Sequence, residues 1–445
     1  MKKLVSLALA LTMLLSLAAC GQTAEKPSAS PSPSQSATPA ASDAPQTPAL
    51  EGTIEYWSMW NETEPQGQVI QEAVNDFTAQ NPGVTVNINW QGRDIRKTIK
   101  AALDAKQVDI WEDSLQMVGA DYADYGIDLE PLMNKVYPGT EGKTYLELAQ
   151  PVLIEALKAY SGGVVNGVPY QPNLMPLWYN KDLFAQAGIT ELPKTMDEFY
   201  AVCEKLQEAG ITPISNDSGY ILLPFTMYLG RLKGIEFCQQ LVNDKTGEMM
   251  NDPAFLEAAQ YLEKLSKEGY YPATVAANKY PAGQMEFAMG ECAMYLVPSY
   301  MVNEVMEITG DDFPWGAMEL PNPAGAVLPT TATNLDSQCY QITKDCQNPE
   351  LAFALIAHIT SPKWDAEMAA RATAIPTLAD TEWPATLAAA KPVLEAMTEN
   401  MPWASKMNTN PDFTPAFKEL LAKVSGGEID AATFVSECQK AVKGG

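Results

Sequence analysis

The chain has 445 residues, which is too long for one ordinary hydrophobic core and predicts two domains with additional segments. Its 55 acidic residues outnumber its 29 basic residues, so the formal net charge is −26 at pH 7. A surface of this charge repels nucleic acids and anionic lipid headgroups, so we expect no nucleic-acid partner. Neutral and cationic solutes remain as ligands that the charge permits.

The first 19 residues are predicted to be a signal peptide. Lys2 and Lys3 precede an apolar run, and small residues lead up to Cys20, which is the order of an export signal. Residues 17–21 read Leu-Ala-Ala-Cys-Gly and match the bacterial lipobox, which predicts cleavage before Cys20 and diacylglycerol on its sulfur. The alternative is an ordinary secretory leader. Acyl chains would anchor the protein on the extracytoplasmic face of the cell membrane without spanning it.

Residues 21–50 are predicted to be a disordered linker behind the lipidated Cys20. They contain six Pro, six Ser, seven Ala and three Thr. This composition leaves almost nothing to bury in a core. Such a tether would let a folded domain range over a partner in the membrane.

Two helix patterns alternate with three strand patterns between residues 53 and 111. Strands are predicted over 53–57, 84–88 and 108–111, with helices over 68–80 and 95–103. This βαβαβ order predicts a largely parallel sheet, in which the loops at the carboxyl ends of the strands face a ligand. No glycine-rich phosphate motif follows any of these strands, so we expect no nucleotide and no other cofactor.

The loops after these strands carry aromatic and polar side chains that suit a sugar. Indole faces pack against the C–H faces of a pyranose, and amide and carboxylate groups pair with its hydroxyls. The alternative is core packing of the indoles and a solvated rim of carboxylates. The residues predicted to bind substrate here are Trp60, Asn61, Glu62, Trp90, Trp111 and Asp113.

Three later stretches carry a resemblance to a known family. Residues 165–184 read VNGVPYQPNLMPLWYNKDLF, and Thr195 forms a capping box with Glu198 in the helix that follows. Residues 284–300 contain Phe-x-x-Gly-x-x-Ala-Met before a tyrosine, and residues 348–350 read Asn-Pro-Glu. In this order the stretches resemble the extracellular solute-binding proteins (family 1, sugar-binding type) of ABC importers, many of them bacterial lipoproteins.

The resemblance implies an α/β fold with the two lobes of a class II periplasmic-binding-protein-like structure. Each lobe would have a mostly parallel sheet flanked by helices, and crossover hinge strands would join the lobes. The implied N-terminal lobe comprises residues 51–168 and 335–378, and the implied C-terminal lobe comprises 169–334 and 379–445. We expect a monomer.

The resemblance also implies ligand contacts from the second lobe. Asn173 falls where relatives often place a polar contact, and Tyr300 stands where they typically have a tryptophan, so a smaller stacking platform remains. Trp403 or Phe413 would supply a further platform, with core packing as the equal alternative. The implied partners are a carbohydrate of oligosaccharide size and the permease subunits of an ABC transporter. The membrane would be contacted through the lipid anchor only.

The sequence offers little for catalysis or for metal binding. Its one histidine, His358, lies in an apolar run and is interpreted as a packed helix residue. A single histidine argues against His-rich metal sites and against a Ser-His-Asp triad, so we expect a binding protein without a metal and not an enzyme. Of the six cysteines beyond Cys20, Cys339 and Cys346 flank a short turn and are the best candidates for a disulfide, with buried thiols as the alternative.

Other functions remain open from the sequence. The acidic charge also suits a cationic ligand such as a polyamine, which carboxylates and aromatic faces would enclose. A surface glycoside hydrolase is another alternative, because 55 acidic residues always offer some pair of carboxylates. The last alternative is a receptor lobe that signals through a membrane kinase, or a protein that binds peptides.

Overall fold

A computed structural model describes residues 50–444 of the chain. The predicted signal peptide, Cys20 and the linker up to residue 49 lie outside the described residues. The strands are, in chain order, β1 (Glu51–Ser58), β2 (Gly83–Trp90), β3 (Ile110–Ser114), β4 (Val168–Leu174), β5 (Leu177–Asn180), β6 (Thr212–Ser215), β7 (Cys292–Leu296), β8 (Trp315–Met318), β9 (Ala332–Thr333), β10 (Leu335–Ile342) and β11 (Glu399–Asn400).

The α-helices lie between and after these strands. They are α1 (Pro65–Gln80), α2 (Ile95–Asp104), α3 (Glu130–Met133), α4 (Tyr145–Leu148), α5 (Pro151–Ser161), α6 (Lys181–Gln186), α7 (Met196–Glu208), α8 (Leu223–Lys233), α9 (Ile235–Asn243), α10 (Pro253–Lys267), α11 (Ala282–Ala288), α12 (Met301–Glu304), α13 (Met306–Thr309), α14 (Pro349–Ile359), α15 (Pro362–Ala372), α16 (Lys391–Ala396), α17 (Thr414–Ser425) and α18 (Ala431–Gly444). In the described part of the chain, no helix combines the length and the hydrophobicity that a membrane span needs.

Five strands form the first sheet, in the order β2-β1-β3-β10-β4. β1 runs parallel to β2 and to β3, as the βαβαβ pattern predicts. β10 runs antiparallel to β3 and to β4, because the chain leaves this sheet along β4 and returns along β10 after it has formed the second sheet. The first sheet is therefore mixed.

Four strands form the second sheet, in the order β6-β7-β5-β8. β5 is antiparallel to β7 and to β8, whereas β6 and β7 are parallel. The chain enters this sheet along β5 and leaves along β8, and two strands that enter and leave at the same end of a sheet must run in opposite directions. The predicted two-lobe α/β fold is confirmed, but the prediction of mostly parallel sheets is wrong for this lobe.

The segments that connect the two sheets lie side by side. β4 pairs in the first sheet as far as Leu174, so the first crossing comes later than the predicted boundary at residue 168. The N–H of Met175 donates to the carbonyl of Asn334 at 3.0 Å. The side-chain Nδ2 of Asn334 donates to the carbonyl of Met401 at 2.8 Å. The first two connecting segments are thus hydrogen-bonded to each other, and the second is also bonded to Met401 beyond β11, while the other predicted lobe boundaries stay predictions.

Side-chain caps fix the beginnings of the helices after the first crossing. Asn180 accepts hydrogen bonds from the first turn of α6, and Thr195 forms the predicted capping box with Glu198 in α7. Ser299, just before α12, ties the end of β4 to the second lobe, because its Oγ accepts the N–H of Leu174 at 3.2 Å.

The six cysteines of residues 50–444 are all free thiols. Cys339 is fully buried on β10, and a Cβ added at Gly167 would lie 2.4 Å from its Sγ. The predicted disulfide between Cys339 and Cys346 is therefore wrong, because the strand turns Cys339 into the core while Cys346 is half-buried in the turn beyond it. Burial raises the pKa of Cys346 to about 12, so its thiol stays protonated at neutral pH.

His358 is packed in α14, in agreement with the prediction. Its Nε2 lies 3.1 Å from the Nε1 of Trp364, which donates the hydrogen bond. Burial lowers the pKa of His358 below its ordinary value. Within residues 50–444 no group of three or more His, Cys, Asp or Glu side chains is arranged to hold a metal ion.

Candidate functional site

A cleft of about 720 Å³ is lined by residues from both lobes. A volume of this order is typical of small-molecule sites. The first lobe contributes Met59, Trp60, Glu64, Pro65, Gln66, Arg93, Arg96, Gln171, Asn173, Gln338, Ala372, Thr373 and Ile375. The rest of the lining consists of Tyr220, Tyr280, Ser299, Tyr300, Asn303, Glu304 and Leu387.

Three of the predicted contacts come together in this cleft. Trp60 and Asn173 lie in the wall of the first lobe, and Tyr300 lies in the wall of the second. Asn61 and Glu62 follow Trp60 on the same loop but are exposed outside the cleft. The loop after β1 therefore places one of its three predicted contacts in the cleft lining, where its role in binding stays a prediction.

Three further predicted contacts lie outside the cleft lining. Trp90 is half-buried at the end of β2. Asp113 is fully buried behind Arg96, to which it is hydrogen-bonded. Trp403 packs against Tyr220 in a T-shaped arrangement, with ring centroids 6.4 Å apart. Asp113 and Trp403 are thus neighbours of residues that line the cleft.

Trp111 and Phe413 are core residues in the structure. Trp111 is fully buried on β3, and its Nε1 donates to the Oε1 of Gln341 at 2.8 Å. Phe413 is buried against Phe417, with stacked rings whose centroids are 5.1 Å apart. The predicted ligand contacts at these two positions are corrected to core packing, because their rings are enclosed by other side chains.

Two contacts fix the indole of Trp60 in the cleft wall, a hydrogen bond at its edge and a cation over one face. Its Nε1 donates to the hydroxyl of Tyr170 at 2.8 Å, and the side chain is only 6 % exposed. The guanidinium carbon of Arg93 stands 4.5 Å from the centroid of the indole ring, a cation–π distance. The indole face is therefore covered by Arg93 and does not form the open platform that the sequence predicts.

Two arginines in the loop after β2 and the start of α2 line the same wall. Arg93 pairs with Glu64 at 3.2 Å, and Arg96 makes a bidentate pair with Asp113. Their side chains are 49 % and 52 % exposed, respectively. Neither arginine was among the predicted contacts, although their spacing of three residues directly after a strand end is a usable signal. Each arginine offers hydrogen-bond donors to the cleft while a carboxylate compensates its charge.

A buried carboxylate lies beneath this wall. Glu112 on β3 is fully buried and accepts hydrogen bonds from Tyr56 at 2.6 Å, from Tyr170 at 2.9 Å and from Ser58. Burial raises the pKa of Glu112 to about 7, and the hydrogen bonds oppose this rise. Because Tyr170 also accepts from Trp60, one chain of hydrogen bonds connects Glu112 to the cleft.

Tyrosines form the open aromatic surface of the cleft. Tyr300 and Tyr280 are 39 % and 45 % exposed. The hydroxyl of Tyr220 lies 3.3 Å from that of Tyr300, and Tyr280 donates to Glu304 at 2.9 Å. Tyr300 was predicted through the family resemblance, but Tyr220 and Tyr280 lie in loops that carry no comparable motif.

Comparison with known proteins identifies the family of this chain. The model of the family described as bacterial extracellular solute-binding protein matches residues 60–366. A Brucella abortus protein named as a binding protein is 24 % identical over 282 residues, which cover 58 % of this chain. The matched region spans 61 % of that relative's own length.

Two solved structures are similar along most of the chain. RafE from Streptococcus pneumoniae is 18 % identical, with a TM-score of 0.70 over 90 % of this chain and 99 % of RafE. The cyclic α-maltosyl-1,6-maltose binding protein from Arthrobacter globiformis is 20 % identical, with a TM-score of 0.62 over 89 % of this chain and 99 % of that one. At these identities the likeness establishes a shared fold. The match to the family model decides the membership: this chain belongs to the bacterial extracellular solute-binding proteins, which bind solutes and are not enzymes.

Proposed function

We propose that the cleft binds a neutral carbohydrate and that the protein delivers it to the permease of an ABC importer. The observation that carries this proposal is the composition of the two walls. The second lobe offers the open rings of Tyr280 and Tyr300, and the first offers polar side chains such as Asn173. Aromatic rings suit the C–H faces of a sugar, and polar side chains suit its hydroxyls.

The charges in the cleft favour a neutral ligand over a polyamine. Glu64 is paired with Arg93, and Asp113 is paired with Arg96. Glu304 accepts hydrogen bonds from Tyr280 and from the Nε2 of Gln284 at 3.0 Å. A polyamine site needs carboxylates that are free to face ammonium groups. The carboxylates of this cleft already accept hydrogen bonds from protein donors and are not free to face ammonium groups. A neutral polyol therefore suits the cleft better than a polyamine does.

The similar proteins support a sugar as the solute. A structure of RafE is a complex with raffinose, and the Arthrobacter protein is named for a cyclic maltosyl-maltose. Both are similar to this chain in fold, and their ligands enter here only as support for a carbohydrate. A ligand that touches both walls would bind best when the lobes approach each other, so sugar binding would shift the equilibrium toward a closed form.

Titration calorimetry against raffinose, maltotriose, chitotriose and spermidine tests the proposal. We expect the protein to bind at least one of these sugars without turnover and to show no heat of binding with spermidine. Tyr300→Ala should weaken sugar binding about tenfold or more, because a stacked aromatic contact is lost. Tyr137→Ala is the control, since Tyr137 packs on Phe353 away from the cleft. Binding of spermidine alone, or of no sugar, would reject a carbohydrate ligand.

We also propose that a lipid on Cys20 holds the protein at the extracytoplasmic face of the membrane. The lipobox at residues 17–21 and the family's extracellular location support this assignment. Growth with labelled palmitate should label the wild-type protein and leave Cys20→Ser unlabelled. Label that persists in the Cys20→Ser protein would contradict the anchor.

A further inference from the structure

Gln171 lines the cleft at an irregularity in β4. Tyr170 pairs with Gln338 of β10 and Pro172 pairs with Ser337, so the register shifts and Gln171 has no partner on β10. An extra residue of this kind is a β-bulge, which bends a strand and redirects a side chain, often next to a binding site.

The backbone at Gln171 is strained and is held from outside. Its φ is +49°, a left-handed value that a residue with a β-carbon rarely adopts, and the following Pro172 favours extended backbone at this position. The N–H of Gln171 donates to the Oγ1 of Thr377 at 3.0 Å, and Ser337 donates to the carbonyl of Tyr170 at 2.7 Å. Strain of this kind persists only where the surroundings enforce it, and it concentrates at ligand sites.

The side chain of Gln171 is also left unsatisfied. It is 9 % exposed, and its Oε1 has no hydrogen-bond partner among the described residues. Gln338, which lines the cleft beside the bulge, has an unpartnered Oε1 as well. Burying a carboxamide oxygen without a hydrogen-bond donor is unfavourable, and such atoms in a native protein require an explanation. The packing of residues 50–444 does not explain why the Oε1 atoms of Gln171 and Gln338 lack hydrogen-bond partners.

We propose that Gln171 and Gln338 are specificity-determining contacts whose carboxamides bind two neighbouring hydroxyls of the carbohydrate. This inference rests on the proposed function and adds to it the chemistry that the ligand must present. A carboxamide both donates and accepts hydrogen bonds, and so does a hydroxyl. A pair of free vicinal hydroxyls would therefore satisfy the hydrogen-bonding groups of both side chains. A deoxy or O-methyl sugar leaves them unpaired, and sites built in this way reject such analogues strongly.

Two substitutions separate a ligand contact from a structural role. Gln171→Gly accepts a positive φ and removes the carboxamide, so it relieves the strain at the bulge. Gln338→Met keeps approximately the size of the side chain and removes its polar atoms. Gln240→Met, on the exposed side of α9, is the control that should change nothing.

The test is calorimetric titration of the wild type and of each variant with raffinose, maltotriose and chitotriose, followed by thermal unfolding without ligand. We expect both variants to lose at least tenfold in affinity for the sugar that the wild type binds, with an unfolding midpoint no lower than the wild type's. Less than a tenfold loss in either variant, or a lower midpoint, overturns this inference alone. A wild type that binds no sugar overturns the proposed function, and this inference with it.

Discussion

Arg96 binds the carboxylate of Asp113 through two parallel hydrogen bonds, from Nε to Oδ2 at 2.9 Å and from Nη2 to Oδ1 at 2.7 Å. The two partners lie in different surroundings, because the side chain of Asp113 is fully buried and that of Arg96 is half exposed. Removing the arginine would leave a buried carboxylate without its cation, with the N–H of Ser114 as a remaining donor, whereas removing the aspartate leaves a cation that water solvates. The pair is therefore asymmetric in its contribution to stability.

Arg96→Met is expected to destabilise the protein more than Asp113→Asn does. We expect a loss of about 3 kcal/mol in the free energy of unfolding for Arg96→Met and about 1 kcal/mol for Asp113→Asn. Urea unfolding of both variants at pH 7 measures the two losses. Equal losses, or a larger loss for Asp113→Asn, would show that Asp113 does not depend on Arg96 for its compensation.

Glu112 is expected to make stability depend on pH. Its pKa in the folded protein is about 7, above the ordinary value of 4.5, so the native state holds this proton more tightly than the unfolded chain does. The stability linked to Glu112 is fully present below about pH 4.5 and is lost as the pH rises through 7. The titratable groups that face it, Tyr56, Tyr170 and Tyr340, have raised pKa values and stay neutral over this range.

Glu112→Gln removes this pH dependence and retains the shape of the side chain. The free energy of unfolding of the wild type, relative to that of Glu112→Gln, should fall by about 2–3 kcal/mol between pH 5 and pH 8. Urea titrations at the two pH values measure it, with the exposed Glu428→Gln as control. A relative stability that is the same at both pH values would mean that Glu112 titrates normally.

Trp60 and Tyr300 are both at the cleft but should differ in their effect on folding. Trp60→Ala removes a buried indole and leaves the hydroxyl of Tyr170 without a donor, so we expect a loss of about 3–4 kcal/mol. Tyr300→Ala removes a ring that is already 39 % exposed, so we expect a loss of about 1 kcal/mol. Chemical unfolding of the ligand-free variants measures both. A well-folded, stable Trp60→Ala protein would refute the supporting role of Trp60.

Gly167 is expected to tolerate no larger residue while Cys339 stands beside it. A Cβ at this position would meet the Sγ of Cys339 at 2.4 Å and Val118 at 2.8 Å, so Gly167→Ala should cost about 2–3 kcal/mol. Adding Cys339→Ala removes the closest atom, and the double variant should regain part of the loss. Thermal unfolding of the single and double variants measures the coupling. Additive losses would show that the two positions do not clash.

The elements were predictable where a local rule decides them. The βαβαβ order and the caps at Asn180 and Thr195 follow from hydrophobic spacing and from side chains that satisfy the first helical N–H groups. Strand direction was not predictable in the same way. The antiparallel placement of β10 depends on where the chain re-enters the first sheet, which no local pattern encodes.

The cleft was predictable in part for a related reason. Trp60 follows the end of a strand and Tyr300 follows a family motif, so the loops of both residues could be assigned to the cleft. Trp111 looks the same in sequence, but both faces of β3 are covered and the ring is buried. Gln171 could not be found, because a β-bulge depends on the register between two strands that lie more than 150 residues apart in the chain.

The position of β10 also constrains the order in which the polypeptide can acquire its structure. This strand lies between β3 and β4, yet it is made only after the whole of the second sheet. A nascent or partly exported chain that ends before residue 335 has a gap in the middle of its first sheet, with two unpaired strand edges exposed. The first sheet therefore cannot be completed before β10 is made, and until then its two open strand edges can pair with other chains.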